Sequence, residues 1–384
     1  KAHIAGNEKG VQELRKMIDH FGLDVVHSYM KHVQDNAEEC VRRVLGVLTD
    51  GSYEYEMDSG AKICVSIKVD KEKREAVIDF TGTSPQQNSN FNAPSSVCMA
   101  AVLYVFRLMV DDEIPLNAGC LKPLNVIIPE GCMLAPKYPA AVVAGNVETS
   151  QAVTNALIGA LGIMAAGQGT MNNFTFGNNA GYQNYETICG GAGAGPDYDG
   201  TDAIHTHMTN TLATDPEILE WRFPVVLESF SIRHGSGGAG KHRGGHGIIR
   251  RVRFEEAMTA AVVSGHRRVA PFGVAGGEPG KCGRNYVERA DNTVTELSGT
   301  DGTEMLPGDV FVIETPGGVG TQGLIYRGTH IPAHVRRIGG LVSPVVGGNS
   351  VSLNDNSVTG QHECGRDVLE TSFDFVVKAL SKIK

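Results

Sequence analysis

Aromatic side chains make up only 6% of the 384 residues, with a single tryptophan, and charged side chains only 20%. An interior so poor in large rings must be filled by aliphatic and small residues. Nowhere do about 18 apolar residues run together, so no stretch reads as a membrane-spanning helix. Positive charge is not in excess either. The 34 basic residues against 43 acidic leave a net charge of −9, which argues against general attraction to nucleic acid or anionic lipid. A local basic cluster at residues 243–253 is the exception. The eight cysteines contain no C-x-x-C pair and are widely spaced. This predicts buried free thiols in a reducing, cytoplasmic setting rather than disulfides or structural zinc. Neither G-x-S-x-G nor H-E-x-x-H occurs, which removes two common hydrolase signatures.

What is abundant is glycine, 48 residues without a three-residue period. Long apolar stretches separate the glycines, so neither collagen nor disorder fits. The expected class is α+β: an N-terminal helical hairpin over residues 1–50, then a glycine-rich, largely β core over 51–320 with a central buried small-residue helix. Residues 321–384 form a divergent tail with a closing helix at 368–383. The hairpin rests on Val11, Leu14, Ile18 and Phe21, then on Val26, Met30, Val33, Ala37, Val41 and Val44, at helical spacing. Its His20, His27 and His32 read as surface residues. Strands are expected at 53–57, 62–70, 75–81, 123–128, 170–176, 183–188, 223–233, 248–254, 259–264, 285–288 and 310–315. A helix is expected at 97–109, and the small-residue helix is expected to run on to Ala166. The chain opens on Lys1 rather than Met, and is read as a piece of something longer.

Two glycine stretches imitate nucleotide sites. Gly235, Gly237 and Gly240 satisfy G-x-G-x-x-G after a strand, and Gly240-Lys241 also ends a G-x-x-x-x-G-K pattern. Both motifs need a helix whose free N–H groups face the phosphate. The following Arg243-Gly-Gly-His-Gly247 cannot begin one, so a close-approach hairpin is expected instead. Residues 190–195 fail the same way, because Pro196 and Asp197 follow.

The densest polar cluster is Asp202-Ala-Ile-His-Thr-His-Met-Thr-Asn210. If extended, it places His205 and His207 on one face, suited to holding a metal with a third ligand from Asp202 or Glu148, to moving protons, or to structural hydrogen bonds. Glu148 near a helix start is explained by catalysis or by capping. Cys189, between a strand and the Gly190 turn, has the placement of an exposed nucleophile. The amide-rich loop at 82–96 serves either a neutral polar ligand or neighbouring backbone, and the second is the simpler reading.

Several motifs run together: Gly145-Asn-Val-Glu-Thr-Ser-Gln151, His205-Thr-His-Met-Thr-Asn210, Arg233 with Ser236-Gly-Gly-Ala-Gly240, Asp79-Phe-Thr-Gly-Thr-Ser84 and Thr315-Pro-Gly-Gly318. On these the chain resembles the B-type subunit of hydantoinases and the C-terminal portion of ATP-dependent 5-oxoprolinase, over residues 1 to about 320. The resemblance implies a cyclic-amide hydrolase that works with an A-type ATP-binding domain or subunit, so that ATP is held by the partner and not by this chain. It implies catalytic roles for His205, His207 and Glu148, and substrate contacts from Asn146, Asn210, Arg233, Gly237 and Gly238.

A homo-oligomer is expected, with no nucleic acid or membrane partner. No metal ligand is assigned within this chain. The family's Asn-Asp-Pro segment with Gly-Gly-x-His and Asp, which carries its metal-binding side chains on this resemblance, has no counterpart here. A divalent metal therefore belongs to the complete protein, and the chain is expected to be inactive alone. Two other readings stay open: a subunit of an acetone- or acetophenone-type carboxylase, and a non-catalytic scaffold for the ATP-binding domain.

Overall fold

The computed structural model describes residues 1–112, 114–209 and 211–322. The expected closing helix at 368–383 lies outside them. The elements follow in the order α1 (Ala2–Phe21), α2 (Leu23–Leu45), β1 (Gly51–Glu56), β2 (Lys62–Asp70), β3 (Glu75–Asp79), α3 (Ser95–Leu108), β4 (Leu124–Ile127), α4 (Thr149–Leu161), β5 (Asn173–Gly177), β6 (Gln183–Thr187), α5 (Pro216–Arg222), β7 (Val225–Ile232), β8 (Ile248–Phe254), β9 (Met258–Val263), β10 (Arg284–Glu288), β11 (Val294–Leu297), β12 (Thr300–Met305) and β13 (Val310–Glu314). The α+β class is as expected. No helix among the described residues is long and apolar enough to cross a membrane.

Three sheets build two apolar cores. The first sheet, β1-β2-β3-β4, is antiparallel except where β3 meets β4 in parallel. Ile63, Val65, Ile67 and Ile78 alternate inward into the core that the sheet shares with α2 and α4, and α3 packs on α4. The other two sheets, β11-β10-β13-β8-β7 and β12-β9-β5-β6, enclose the second core. There Phe174 meets Phe311 at 4.7 Å between ring centroids and Phe176 meets Phe254 at 5.4 Å. Aromatic rings enter both cores, with Phe80 and Phe106 buried in the first. Helix α1 has no buried residue, and His20, His27 and His32 are all exposed.

Between the cores the glycines form a third kind of layer. Segments around residues 165–168, 191–195, 237–245 and 317–320 are neither helix nor strand, and each bonds laterally to several others. Gly245 N–H donates to Ala192 O at 2.8 Å, Gly318 N–H to Gly245 O at 2.8 Å, Gly238 N–H to Gly318 O at 2.9 Å and Ala194 N–H to Val319 O at 2.9 Å. A methyl at Gly318 would overlap the Ala192 carbonyl, and one at Gly245 the Thr201 carbonyl. Only glycine lets these backbones approach so closely.

Three local expectations are corrected. Helix α4 ends at Leu161, not Ala166, because Gly162 adopts φ 60° and closes it with a left-handed cap; Ala165 and Ala166 then join the glycine layer. Strand β5 begins at Asn173, not Thr170, because residues 170–172 turn aside toward Glu148, with Asn172 at φ 44°. Strands β11 and β12 were not expected at all. Their sequences, Val-Thr-Glu-Leu and Thr-Asp-Gly-Thr-Glu-Met, are polar edges with little apolar alternation.

Candidate active site

Helix α4 is the structural centre of the site. Ala152, Val153, Ala156 and Leu157 make it apolar enough to be buried, yet Thr149, Ser150, Gln151, Thr154 and Asn155 are fully buried with it. Polar groups in such a place must find partners. Ser150 Oγ donates to Asn146 O at 2.6 Å and Thr154 Oγ1 to Ser150 O at 2.9 Å. Gln151 Nε2 donates to Thr206 O and to Thr209 Oγ1, both at 2.8 Å. These last two bonds dock the loop that carries the two histidines onto α4.

The loop is not extended. Ile204 pairs with Gly190, but His207 takes φ 56°, so the two histidines do not share a strand face. His205 is 2% exposed and neither ring nitrogen has a hydrogen-bond partner among the described residues. His207 Nδ1 lies 3.3 Å from the Tyr104 hydroxyl, and its Nε2 has no partner among the described residues. Burial lowers both imidazoles to about 4, so both are neutral at ordinary pH. Gln151 Oε1, both amide atoms of Asn155, Thr206 Oγ1 and the Tyr198 hydroxyl are also buried without partners among the described residues. Neutral imidazoles with open nitrogens, on a loop docked to a buried polar helix, can orient an uncharged polar group or relay a proton. They are poorly suited to holding a charge.

Glu148 stands just before α4, where its side chain makes no capping bond to the helix, and it is 2% exposed. Its Oε1 accepts from Thr170 Oγ1 at 2.9 Å, Met171 N–H at 3.0 Å and Asn173 Nδ2 at 2.8 Å. Its Oε2 turns toward Gly265. Burial pushes this carboxyl up to about 8.

The remaining expected residues are placed differently. Asn146 is exposed, and Asn210 lies outside the described residues. Arg233 is engaged within the fold, paired with Glu314 at 2.9 Å and bonded to Cys282 O and Thr315 O. Gly237 N–H donates to His246 Nδ1 at 3.0 Å, and a methyl at Gly238 would overlap Glu278 O. The stretch 235–240 therefore meets other backbone of this chain and opens no helix. Cys189 is 1% exposed and burial raises its thiol to about 12, so it is not the exposed nucleophile its sequence placement suggested.

The donor set does not fit a metal. Among the described residues no three or more His, Cys, Asp or Glu converge. Asp202 pairs with Arg243 at 2.7 Å and accepts from His246 N–H at 2.7 Å, and Glu148 is engaged as described.

With this geometry in view, comparison with known proteins is decisive on family. The family described as Hydantoinase B/oxoprolinase matches residues 1–321. The chain belongs to this family. Among hydantoinase B relatives, the 5-oxoprolinase of Dictyostelium discoideum is 43% identical over 331 residues, covering 83% of this chain and 26% of that protein. The chain spans about a quarter of the length of the 5-oxoprolinases it matches. The fold is shared with an ATP-dependent caprolactamase from Pseudomonas jessenii, at a TM-score of 0.72 and 23% identity over 82% of this chain and 59% of that one. It is shared also with acetone carboxylase in its nucleotide-free structure, at a TM-score of 0.69 and 15% identity over 80% of this chain and 50% of that one.

Sequence reasoning did not single out Asn155, Tyr104 or Tyr198, whose polar groups the structure buries or sets against His207. Asn155 sits one helical turn after Gln151 and had that periodicity as its signal. The two tyrosines had none.

Proposed function

We propose that this chain is the C-terminal hydantoinase B-type portion of an ATP-dependent cyclic-amide hydrolase that opens 5-oxo-L-proline. In this reading 5-oxo-L-proline, ATP and water give L-glutamate, ADP and phosphate, with ATP bound by an A-type domain or subunit. A lactam carbonyl resists water because the ring nitrogen shares its lone pair with it. Phosphorylation of the lactam oxygen removes that resonance, and a site on this chain then has to hold the activated ring. The carrying observation is the pair of neutral imidazoles, buried His205 and half-buried His207, with open nitrogens on a loop docked to α4. Such a lining suits the uncharged ring amide and offers nitrogens for proton transfer as the C–N bond opens. The 5-oxoprolinase relatives support this choice of substrate, and the caprolactamase likeness agrees with it at the level of fold.

The test is ATP-dependent turnover by the full-length protein assembled with its ATP-binding portion, following ADP and glutamate after addition of 5-oxoproline. The expected outcome is stoichiometric glutamate, lost on His205→Ala with His207→Ala while the assembly stays intact. Unchanged turnover in that double variant points to a scaffold. An assembled, ATP-binding complex that makes no glutamate sinks the 5-oxoproline reading, and consumption of bicarbonate with a ketone would replace it by a carboxylase.

A further inference from the structure

Helix α1 carries an apolar stripe that the described fold leaves largely uncovered. No residue of this 20-residue helix is buried, although α2 follows it directly through Gly22. Ile4 is 75% exposed, and Val11 and Leu14 are 43% and 41% exposed. Ile18 and Phe21 are half-buried. Most of the stability of such a helix has to come from packing of its apolar face. The spacing is also more regular than a surface stripe needs. Ile4, Val11 and Ile18 recur every seven residues, and so do Asn7, Leu14 and Phe21. The first three stand at position a of a heptad and the second three at position d, the pattern of a coiled-coil seam.

This seam complements itself when a second α1 lies against it in the opposite direction. Val11 then faces Leu14 of the second copy, Ile4 faces its Phe21 and Asn7 faces its Ile18, and a two-fold axis repeats each layer. Charge selects this direction. Glu8 and Arg15 both stand at position e, beside the seam. Antiparallel pairing sets Glu8 next to Arg15 of the second copy and Arg15 next to its Glu8. Parallel pairing would set Arg15 next to Gly10 of the second copy and leave it without an acid. The other charges of this stretch are already engaged within the helix, where Lys9 and Lys16 pair with Glu13 at 2.5 Å and 3.0 Å. Glu8 accepts from the Gln12 amide at 3.1 Å. Arg15 is exposed and pairs with no acid among the described residues.

We propose that α1 is a self-association surface, through which two copies of the protein pair antiparallel across a two-fold axis. Val11 and Leu14 form the centre of the contact, and the two Glu8–Arg15 pairs flank it. The two α1–α2 hairpins then build a four-helix arrangement. The contact uses the same patch on both copies, so it closes at the dimer and leaves no stripe free for further growth. This gives the expected homo-oligomer a specific surface. It does not depend on the ring-opening reading, because it needs neither ATP nor substrate.

The test is the mass of the full-length protein in solution, measured by light scattering over a dilution series. Val11→Asp should halve the mass at concentrations where wild type is associated. Glu8→Arg alone and Arg15→Glu alone should each weaken association about tenfold, because like charges then meet at both flanking contacts. An equal mixture of these two single variants should associate as wild type does, since each copy then supplies the charge that the other lacks. The double variant Glu8→Arg with Arg15→Glu should recover as well. A monomeric wild type overturns the proposal, and so does full mass in folded Val11→Asp. A fall in Tm of Val11→Asp without any change in mass also overturns it, because another segment of a longer polypeptide then covers the stripe. If Val11→Asp does not fold, the charge reversals decide alone, and single variants whose mixture fails to recover remove the antiparallel pairing. Loss of turnover on changing His205 and His207 leaves these masses unchanged, so the two readings fail separately.

Discussion

Gln151 donates from its side-chain amide to Thr206 O at 2.8 Å, and the same nitrogen donates to the Thr209 hydroxyl. One fully buried side chain thus joins the central helix to the loop carrying His205 and His207. Gln151→Ala leaves two buried acceptors without their donor, at a cost of about 1–3 kcal/mol. The expected outcome is that loss of stability in urea denaturation, together with a fall in turnover larger than the loss of folded protein explains. Wild-type stability in the variant would show that the loop is held by other contacts.

A second buried relationship concerns stability alone. Arg250 and Glu186 form a two-pronged pair at 3.0 Å and 3.0 Å, with side chains only 2% and 3% exposed. Breaking such a pair strands one charge in the interior and costs about 3–5 kcal/mol, whereas replacing both partners with apolar residues of similar size is far milder. Glu186→Ala should therefore destabilise the protein more than Glu186→Leu combined with Arg250→Met. Urea denaturation of the two variants checks the order, and equal losses would mean that the charge is not stranded.

Much of the fold was legible, and the reason lies in particular strands. The bounds of β2 and β8 agree with those expected, because Ile63, Val65 and Ile67, and Ile248, Arg250, Val252 and Phe254, alternate burial along the strand. Edge strand β12 has exposed Thr300 and Glu304, half-buried Asp301 and Thr303, and no apolar residue before Met305 to carry such a signal. The site was legible only in part. Glu148, His205 and His207 stood out as residue types, but their neutrality depends on burial imposed by distant chain. The Tyr55–His266 contact joins residues far apart in sequence, and no local pattern announces it. Arg233, Gly237 and Gly238 stood out equally, yet they serve the glycine layer and its ion pair.

The glycine layer makes its own prediction. Gly318 lies where a methyl would overlap the Ala192 carbonyl, a backbone atom that cannot swing away. Gly302, in exposed β12, would place its methyl in ordinary contact at 3.5 Å. Gly318→Ala should abolish cooperative folding or lower Tm steeply. Gly302→Ala should be neutral or stabilise by about 0.5–1 kcal/mol through reduced freedom of the unfolded chain. Thermal denaturation of the pair checks this, and equal Tm values would mean that the layer can open to admit a methyl group.

Stability against pH separates Glu148 from the histidines, because their shifts have opposite signs. His205 and His207 fall from the ordinary 6.5 to about 4 on folding. Between those values the unfolded chain binds more protons, so their contribution is lost as pH falls through 6.5 toward 4. Glu148 rises from 4.5 to about 8. Between those values the folded chain binds the extra proton, so its contribution is lost as pH rises through 4.5 toward 8. Glu148→Gln keeps the shape of the side chain and removes only this second dependence. The stability of wild type minus that of Glu148→Gln should therefore decline with rising pH over that window, by up to about 1.4 kcal/mol per pH unit. The acid-side loss from the histidines should remain in both proteins. Urea denaturation at a series of pH values measures the difference directly. A difference that stays flat from pH 4.5 to 8 would mean that Glu148 is ionised in the folded protein, and that its open oxygen is an acceptor rather than a donor.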